Sequence, residues 1–435
     1  MTNDKKKLGQ HVPTVSRVEG DTLVELVYDR DKRKTGLIVS RFGGLWNLEQ
    51  ELTLGNAETL VPYSPANNLI AKDYVLLPST PAEYGFKHEL IADISAYLRR
   101  YVDLSPRFES IAAYYVLLTW VYDAFSEVPY LRLKGDYGTG KTRALMVIGS
   151  LCYKAFFASG ASTVSPIFHV LDAFGGTLIL DEADLPFSDA KAELVKILNN
   201  GTTAGMPVLR TLQNRYKEFS PYAFKVFGPK IVATRERFED HALESRFLTE
   251  ETGLKEVRPD IPIHLPPEAK AEALVLRNRL LHFRLCEFFK IKADPSALMP
   301  GVEPRLNQMA LPLLTLIDDP SARDDIRHML EEQSAAELLD RQESAKGAVL
   351  SAAVAVILSA SGGTIAIRDI AAKFNADHCA DLRGPVSNRW VGHILRTRLG
   401  AKTRKSAGIY VLREEEPKRL VALASRYGIP VTTPE

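Results

Sequence analysis

The chain has 435 residues, 46% of them hydrophobic and 25% charged, which gives it enough apolar mass for sizeable cores and room for roughly two to four domains. Its formal net charge of +1 excludes a global electrostatic field as the means of gripping nucleic acid, so any such contact must come from local patches. Cys152, Cys286 and Cys379 lie far apart and the start, Met1 to Lys7, is polar, which excludes a C-x-x-C zinc site, a disulfide framework and a signal core and fits a cytoplasmic location.

Residues 1–85 are expected to form a β-rich domain. Leu23–Tyr28 and Gly36–Phe42 flank the charged turn Asp29–Lys34 as a hairpin would, and Asp73–Leu77 reads as a further strand. Helices follow. Leu90, Ile91, Ile94, Tyr97, Leu98 and Tyr101 repeat at helical spacing. Ser105-Pro106 pairs a cap residue with Pro at the first helical position, ahead of an apolar helix through Trp120. An α/β nucleotide-binding core with these leading helices is assigned to 86–262.

Within it, Gly135-Asp-Tyr-Gly138-Thr139-Gly140-Lys141-Thr142 is a complete G-x-x-x-x-G-K-T loop. The strand-like run Val128–Leu133 precedes it and the helical run Arg143–Ile148 follows. Glycines let the loop N–H groups wrap phosphates, and the helix start adds its positive dipole end. Lys141 is placed to reach the β- and γ-phosphates of ATP, and Thr142 to ligate Mg²⁺. The apolar strand Gly175–Leu180 then ends in Asp181-Glu182: Asp181 has the position of a second Mg²⁺ holder, and Glu182 that of the base polarising the attacking water. Taken alone, such an acidic strand end is as readily a solvated turn.

Two further elements follow in order. Phe227–Thr234 is another buried strand ending in a polar residue, and Ser245-Arg246-Phe247 comes soon after. The succession Lys141, Asp181-Glu182, Thr234, Arg246 resembles the AAA+ ATPases over residues 90–258. The resemblance implies that Thr234 is the sensor-1 residue and Arg246 an arginine finger reaching a neighbouring subunit's nucleotide. It also implies a sensor-2 arginine in a helical lid, 263–342, for which Arg305 is the choice and Arg277 and Arg279 are rivals. Lid helices are read at Glu268–Lys290 and Pro304–Leu330.

Between Ile197 and Lys230, the runs Val208–Leu212 and Tyr222–Phe227 bracket a polar tip holding Arg215 and Lys217. That resembles a pre-sensor-1 hairpin, which implies DNA contact by Arg210, Arg215 and Lys217 in a ring pore. Gly201–Arg210 and the Phe227–Thr234 strand resemble the MCM-like replicative helicases of plasmids, phages and other mobile elements. The short run from Thr142 to Thr177 leaves no room for the helix-2 insert of MCM proteins proper, and superfamily-3 initiator helicases are an equal kinship.

From Arg383 to Arg413 the chain carries basic residues and no Asp or Glu. Helices at Val349–Ser359, Arg368–Phe374 and Val386–Leu399, a short Thr364–Ile367 strand and a basic β-loop suggest a winged helix over 343–415. Arg389, Arg396, Arg398, Lys402, Arg404 and Lys405 are its DNA-facing set, and Trp390 is assigned to its core. Residues 416–435 are left as a tail. Two functions fit these features. One is a hexameric ATP-driven helicase or replication initiator acting on single- and double-stranded DNA; the other is a DNA-recruited AAA+ loader or remodeller of a protein client. No membrane span is expected, Gly347–Ala360 being too short and Ser-punctuated.

Overall fold

The computed structural model describes residues 11–55, 58–160, 162–183, 189–213, 217, 219–238, 240–360, 363–378 and 384–431. The chain divides into two compact units, Met1–Leu330 and Glu331–Glu435. Among the described residues no helix is long and apolar enough to cross a membrane.

The first unit opens with β1 (His11–Thr14), β2 (Ser16–Glu19), β3 (Thr22–Asp29), β4 (Lys34–Arg41), β5 (Trp46–Glu49), β6 (Leu52–Thr53) and β7 (Thr59–Pro62). Strands β2 to β5 form an antiparallel meander in which Asp29 faces Lys34 across the expected charged turn. Strands β1, β7 and β6 form a second, smaller sheet. The strand expected at 73–77 is reduced to a bridge between Val75 and Phe156.

These sheets are not a separate domain, and the boundary expected near residue 85 marks no break between compact units. Leu23, Val27 and Ile38 share one apolar core with Ile94, Tyr115 and Trp120 of the following helices. In the same place Glu25, 1% exposed, accepts from Arg284 Nε at 2.7 Å and Tyr153 Oη at 2.8 Å and pairs with Lys154 Nζ at 3.0 Å. Arg284 in turn grips Asp123 through two bonds of 2.6 and 2.7 Å. Desolvation pushes the Glu25 carboxyl up, but Lys154 and Arg284 together hold it below its ordinary value.

After α1 (Asn68–Ala71) come α2 (Lys87–Tyr101) and α3 (Pro106–Thr119). Ser105 caps α3 as its Oγ accepts from Phe108 N at 3.2 Å. Then β8 (Tyr130–Lys134), α4 (Lys141–Gly149), β9 (Phe156–Ser159), α5 (Val164–Phe174), β10 (Leu178–Asp181) and α6 (Asp189–Asn200) alternate. A hairpin of β11 (Val208–Gln213) and β12 (Phe219–Phe224) precedes β13 (Lys230–Thr234), α7 (His241–Glu244) and β14 (Phe247–Glu251). The five strands β14-β8-β13-β10-β9 form one parallel sheet. Their near-continuous apolar character follows from helices packing on both faces. Parallel strands all end on one edge, and that edge carries the loop after β8 and the acids after β10.

Next come α8 (Glu268–Glu287), α9 (Pro304–Leu316) and α10 (Pro320–Glu343). The single helix expected over 304–330 is broken, because Pro320 lacks the N–H a continuing helix needs and instead starts α10. The second unit contains α11 (Ala345–Ser359), α12 (Ile367–Asp377), α13 (Asn388–His393) running into a wider π turn (Ile394–Arg398), the hairpin β15 (Thr403–Ser406) and β16 (Ile409–Leu412), and α14 (Glu416–Ala424). In place of the Thr364–Ile367 strand, Ala366 makes one antiparallel bridge to Val411. Val349, Ile370, Leu395 and Leu412 form the core of this unit, which Leu420 and Tyr427 complete. The residues read as a tail therefore carry a packed helix.

Candidate functional site

The loop between β8 and α4 bends at Gly138 (φ +75°) and Gly140 (φ +84°), both in the left-handed region that disfavours a side chain. Gly140 is the last residue before α4, so the backbone N–H groups of the first turn point into the loop. Lys141 Nζ donates to Gly135 O and Asp136 O at 2.6 Å each. Its charge is thereby held inside the loop where an anion would lie. Thr139 Oγ1 donates to Asp136 O at 2.9 Å and lies 2.8 Å from Thr252 Oγ1, which ties the loop to the end of β14.

Across the loop, Thr142 Oγ1 donates to Asp181 Oδ2 at 2.6 Å, and Asp181 Oδ1 accepts from Glu182 N at 2.9 Å. Glu182 has φ +54°, a strained setting for a non-glycine residue of the kind that gathers at functional sites. The result is a cleft of about 360 Å³ lined by Gly140, Lys141, Thr142, Asp181 and Glu182 together with Tyr137, Ala233 and Arg235. That volume is within the range of small-molecule sites, about 300–1,000 Å³. Two hard oxygen donors at one point suit Mg²⁺, which takes few protein ligands and fills its shell from phosphate and water. No cluster of three or more His, Cys, Asp or Glu fit for a metal occurs among the described residues.

No family model and no curated protein matches this chain. It is similar to three solved apo structures of the NrS-1 C-terminal region. One is 12% identical, covers 89% of this chain and 96% of its own, and has a TM-score of 0.37. The second, of residues 305–718, is 14% identical, with 89% and 95% covered and a TM-score of 0.37. The third, the A form of the same residues, is 11% identical, with 89% and 96% covered and a TM-score of 0.40.

The other expected residues are not among those lining this cleft. Thr234 ends β13, but it does not line the cleft. Strand side chains alternate between faces, and it is Ala233 and Arg235 that reach the cleft. Thr234 is 1% exposed, and its hydroxyl has no hydrogen-bond partner among the described residues.

Arg246 precedes β14 at the strand-start edge of the sheet. Phe247 pairs with Tyr130 there, while Glu251 pairs with Lys134 at the loop edge, so roughly 16 Å of strand separates Arg246 from its own cleft. It donates to Asn199 Oδ1. Arg305, the sensor-2 choice in the lid, is close enough to Arg246 for their like charges to interact and is not among the residues lining the cleft. Burial, then the like charge of Arg305, holds the Arg246 guanidinium below its usual value, and the Nε of each arginine is buried without a partner among the described residues. The rivals are engaged elsewhere: Arg277 with Ser150 O at 2.7 Å, and Arg279 with Asp93.

Arg210 sits on β11, ion-paired with Glu193 at 2.8 Å and stacked over Phe168 at 4.8 Å. In this structure it therefore ties the hairpin to α5 and α6. Lys217 is exposed at the tip with φ +64°; Arg215 lies outside the described residues. In the second unit Arg389, Arg396, Arg398, Lys402, Arg404 and Lys405 are all exposed. Arg396 rests 5.7 Å from the Tyr410 ring centroid, and Trp390 packs against Phe374.

Sequence reasoning missed Tyr137 and Arg235. Alternation counted back from the end of β13 was the signal, since Ala233 and Arg235 share a parity that Thr234 does not.

Proposed function

We propose that the chain is an ATP-driven DNA helicase or replication initiator of the AAA+ type, working as a hexameric ring. The single observation that carries this is the convergence of Lys141, Thr142, Asp181 and Glu182 on one cleft at the strand-end edge of a parallel sheet. Lys141 and the loop N–H groups bind the phosphates, Thr142 and Asp181 hold Mg²⁺, and Glu182 takes a proton from the attacking water. Bound Mg²⁺ supplies charge neutralisation on the phosphate oxygens.

Arg246, placed a strand's length from its own cleft, acts on the nucleotide of the next subunit, and Arg305 beside it adds to that anion contact. The two buried guanidinium Nε atoms support this reading, because unpaired buried donors beside a like charge are stabilised by an incoming anion. Arg246→Ala and Lys141→Ala proteins are each expected to be inactive as ATPases. Their mixture should regain activity, because mixed rings contain some interfaces with both residues intact. A mixture as inactive as its parts contradicts a finger acting between subunits.

The second unit is proposed to be a winged helix that anchors DNA, with α13 toward the major groove and β15–β16 as the wing. Replacing Lys402, Arg404 and Lys405 together by Ala should flatten the dependence of log affinity on log salt by about 0.9 for each duplex phosphate the hairpin no longer neutralises. Fluorescence anisotropy with a duplex across a salt series reads this directly. An unchanged slope removes the hairpin from the interface.

A second reading, a loader or remodeller with a protein client, is favoured by one observation. The hairpin strands expose Leu209 (68%) and Phe219 (72%) while Arg210 is occupied. ATPase stimulation by a protein and not by DNA would select it.

A further inference from the structure

Resting on the nucleotide reading of the cleft, we infer that Arg235, and not Thr234, is the residue at the end of β13 that contacts the terminal phosphate of a nucleotide triphosphate bound by the same chain. Four observations place it. Arg235 lines the cleft with Lys141, Thr142, Asp181 and Glu182, whereas the Thr234 side chain is buried off it. Thr234 pairs with Lys134 across β13 and β8, so the next step of the chain brings Arg235 level with Gly135, where the loop begins. The Arg235 guanidinium lies 3.8 Å from the ring centroid of Tyr137, itself in the loop and 74% exposed. Finally, Lys141 and Arg235 are the two cations among the residues lining the cleft, which also include Asp181 and Glu182.

A guanidinium is a planar fork suited to two phosphate oxygens at once. Stacking on Tyr137 keeps it at the mouth of the cleft at small cost, since such an interaction on an exposed ring is weak. The β-phosphate lies deeper, against the loop N–H groups and Lys141. Arg235 therefore senses the γ-phosphate selectively: it distinguishes ATP from ADP.

The test measures binding of fluorescent ATP and ADP analogues, with Mg²⁺, to the full chain. Arg235→Ala is expected to weaken the ATP analogue ~10-fold or more and the ADP analogue less than ~2-fold. Arg235→Gln should fall between, because it keeps a planar donor but loses the charge. Retained ADP affinity also reports that the fold survives. Thr234→Val should leave both affinities unchanged. Equal weakening of both nucleotides by Arg235→Ala overturns the inference, as does discrimination lost in Thr234→Val but kept in Arg235→Ala. Lys141→Ala separates this from the parent reading. If it loses both nucleotides while Arg235→Ala keeps wild-type discrimination, only the role of Arg235 fails. If it binds both as wild type does, the nucleotide site fails with it.

Discussion

Glu182→Gln is expected to bind ATP with near-wild-type affinity and to lower its turnover by about 10²–10⁴-fold, the usual weight of a positioned general base. The geometry makes this substitution informative. Asp181 Oδ2 is engaged with Thr142 Oγ1 and its Oδ1 with the backbone N–H of Glu182, so neither bond uses the Glu182 side chain. Gln keeps the size and the left-handed backbone setting of the residue and removes only the proton acceptor. Nucleotide binding by fluorescence and single-turnover hydrolysis separate the two effects. Turnover within a few-fold of wild type would remove Glu182 from the chemistry. A parallel loss of binding would make it a structural residue of the loop after β10.

The second large effect is on stability. Glu25→Ala should destabilise the first unit by about 3–5 kcal/mol, because it leaves Lys154 and Arg284 buried without their shared counter-charge. Lys154 and Arg284 side chains are 1% and 0% exposed, so water cannot substitute for the missing carboxylate. Linkage supplies an independent readout. The folded-state carboxyl lies below its ordinary value of 4.5. Its contribution is therefore complete above pH 4.5 and is lost as pH falls through the lowered folded value. Melting temperatures from pH 7 down to pH 3 should fall more steeply in the wild type than in Glu25→Gln. Parallel pH profiles, or a Glu25→Ala protein as stable as its parent, would contradict a central role for this network.

What is legible in the sequence is what depends on local spacing. The loop after β8 is read from glycines whose backbone angles other residues avoid and from a lysine and threonine at fixed steps beyond them. The Ser105 cap, the β3–β4 turn and the helices before β8 follow from the same short-range chemistry. What is not legible depends on tertiary placement. Alternation groups Arg235 with Ala233 and apart from Thr234, but only the neighbouring strands decide which of those two faces meets the loop. Arg305 reads as a lid sensor, and its nearness to Arg246 depends on how α9 packs, which no local spacing encodes. Arg210 looks like one more cation in a basic hairpin until Glu193 and Phe168 close on it. The N-terminal strands read as an independent domain, yet Glu25 is a signal: a carboxylate inside a run of buried residues on both faces of β3 demands a buried cation from elsewhere.

The most direct test of the central claim is ATP hydrolysis by the purified chain with Mg²⁺, measured beside unwinding of a forked DNA duplex and beside the Lys141→Ala protein. The account predicts hydrolysis that DNA stimulates and strand separation that requires ATP, both lost in Lys141→Ala. Hydrolysis indifferent to Lys141 would contradict the nucleotide site; hydrolysis that DNA leaves unchanged, with no unwinding, would contradict the DNA motor.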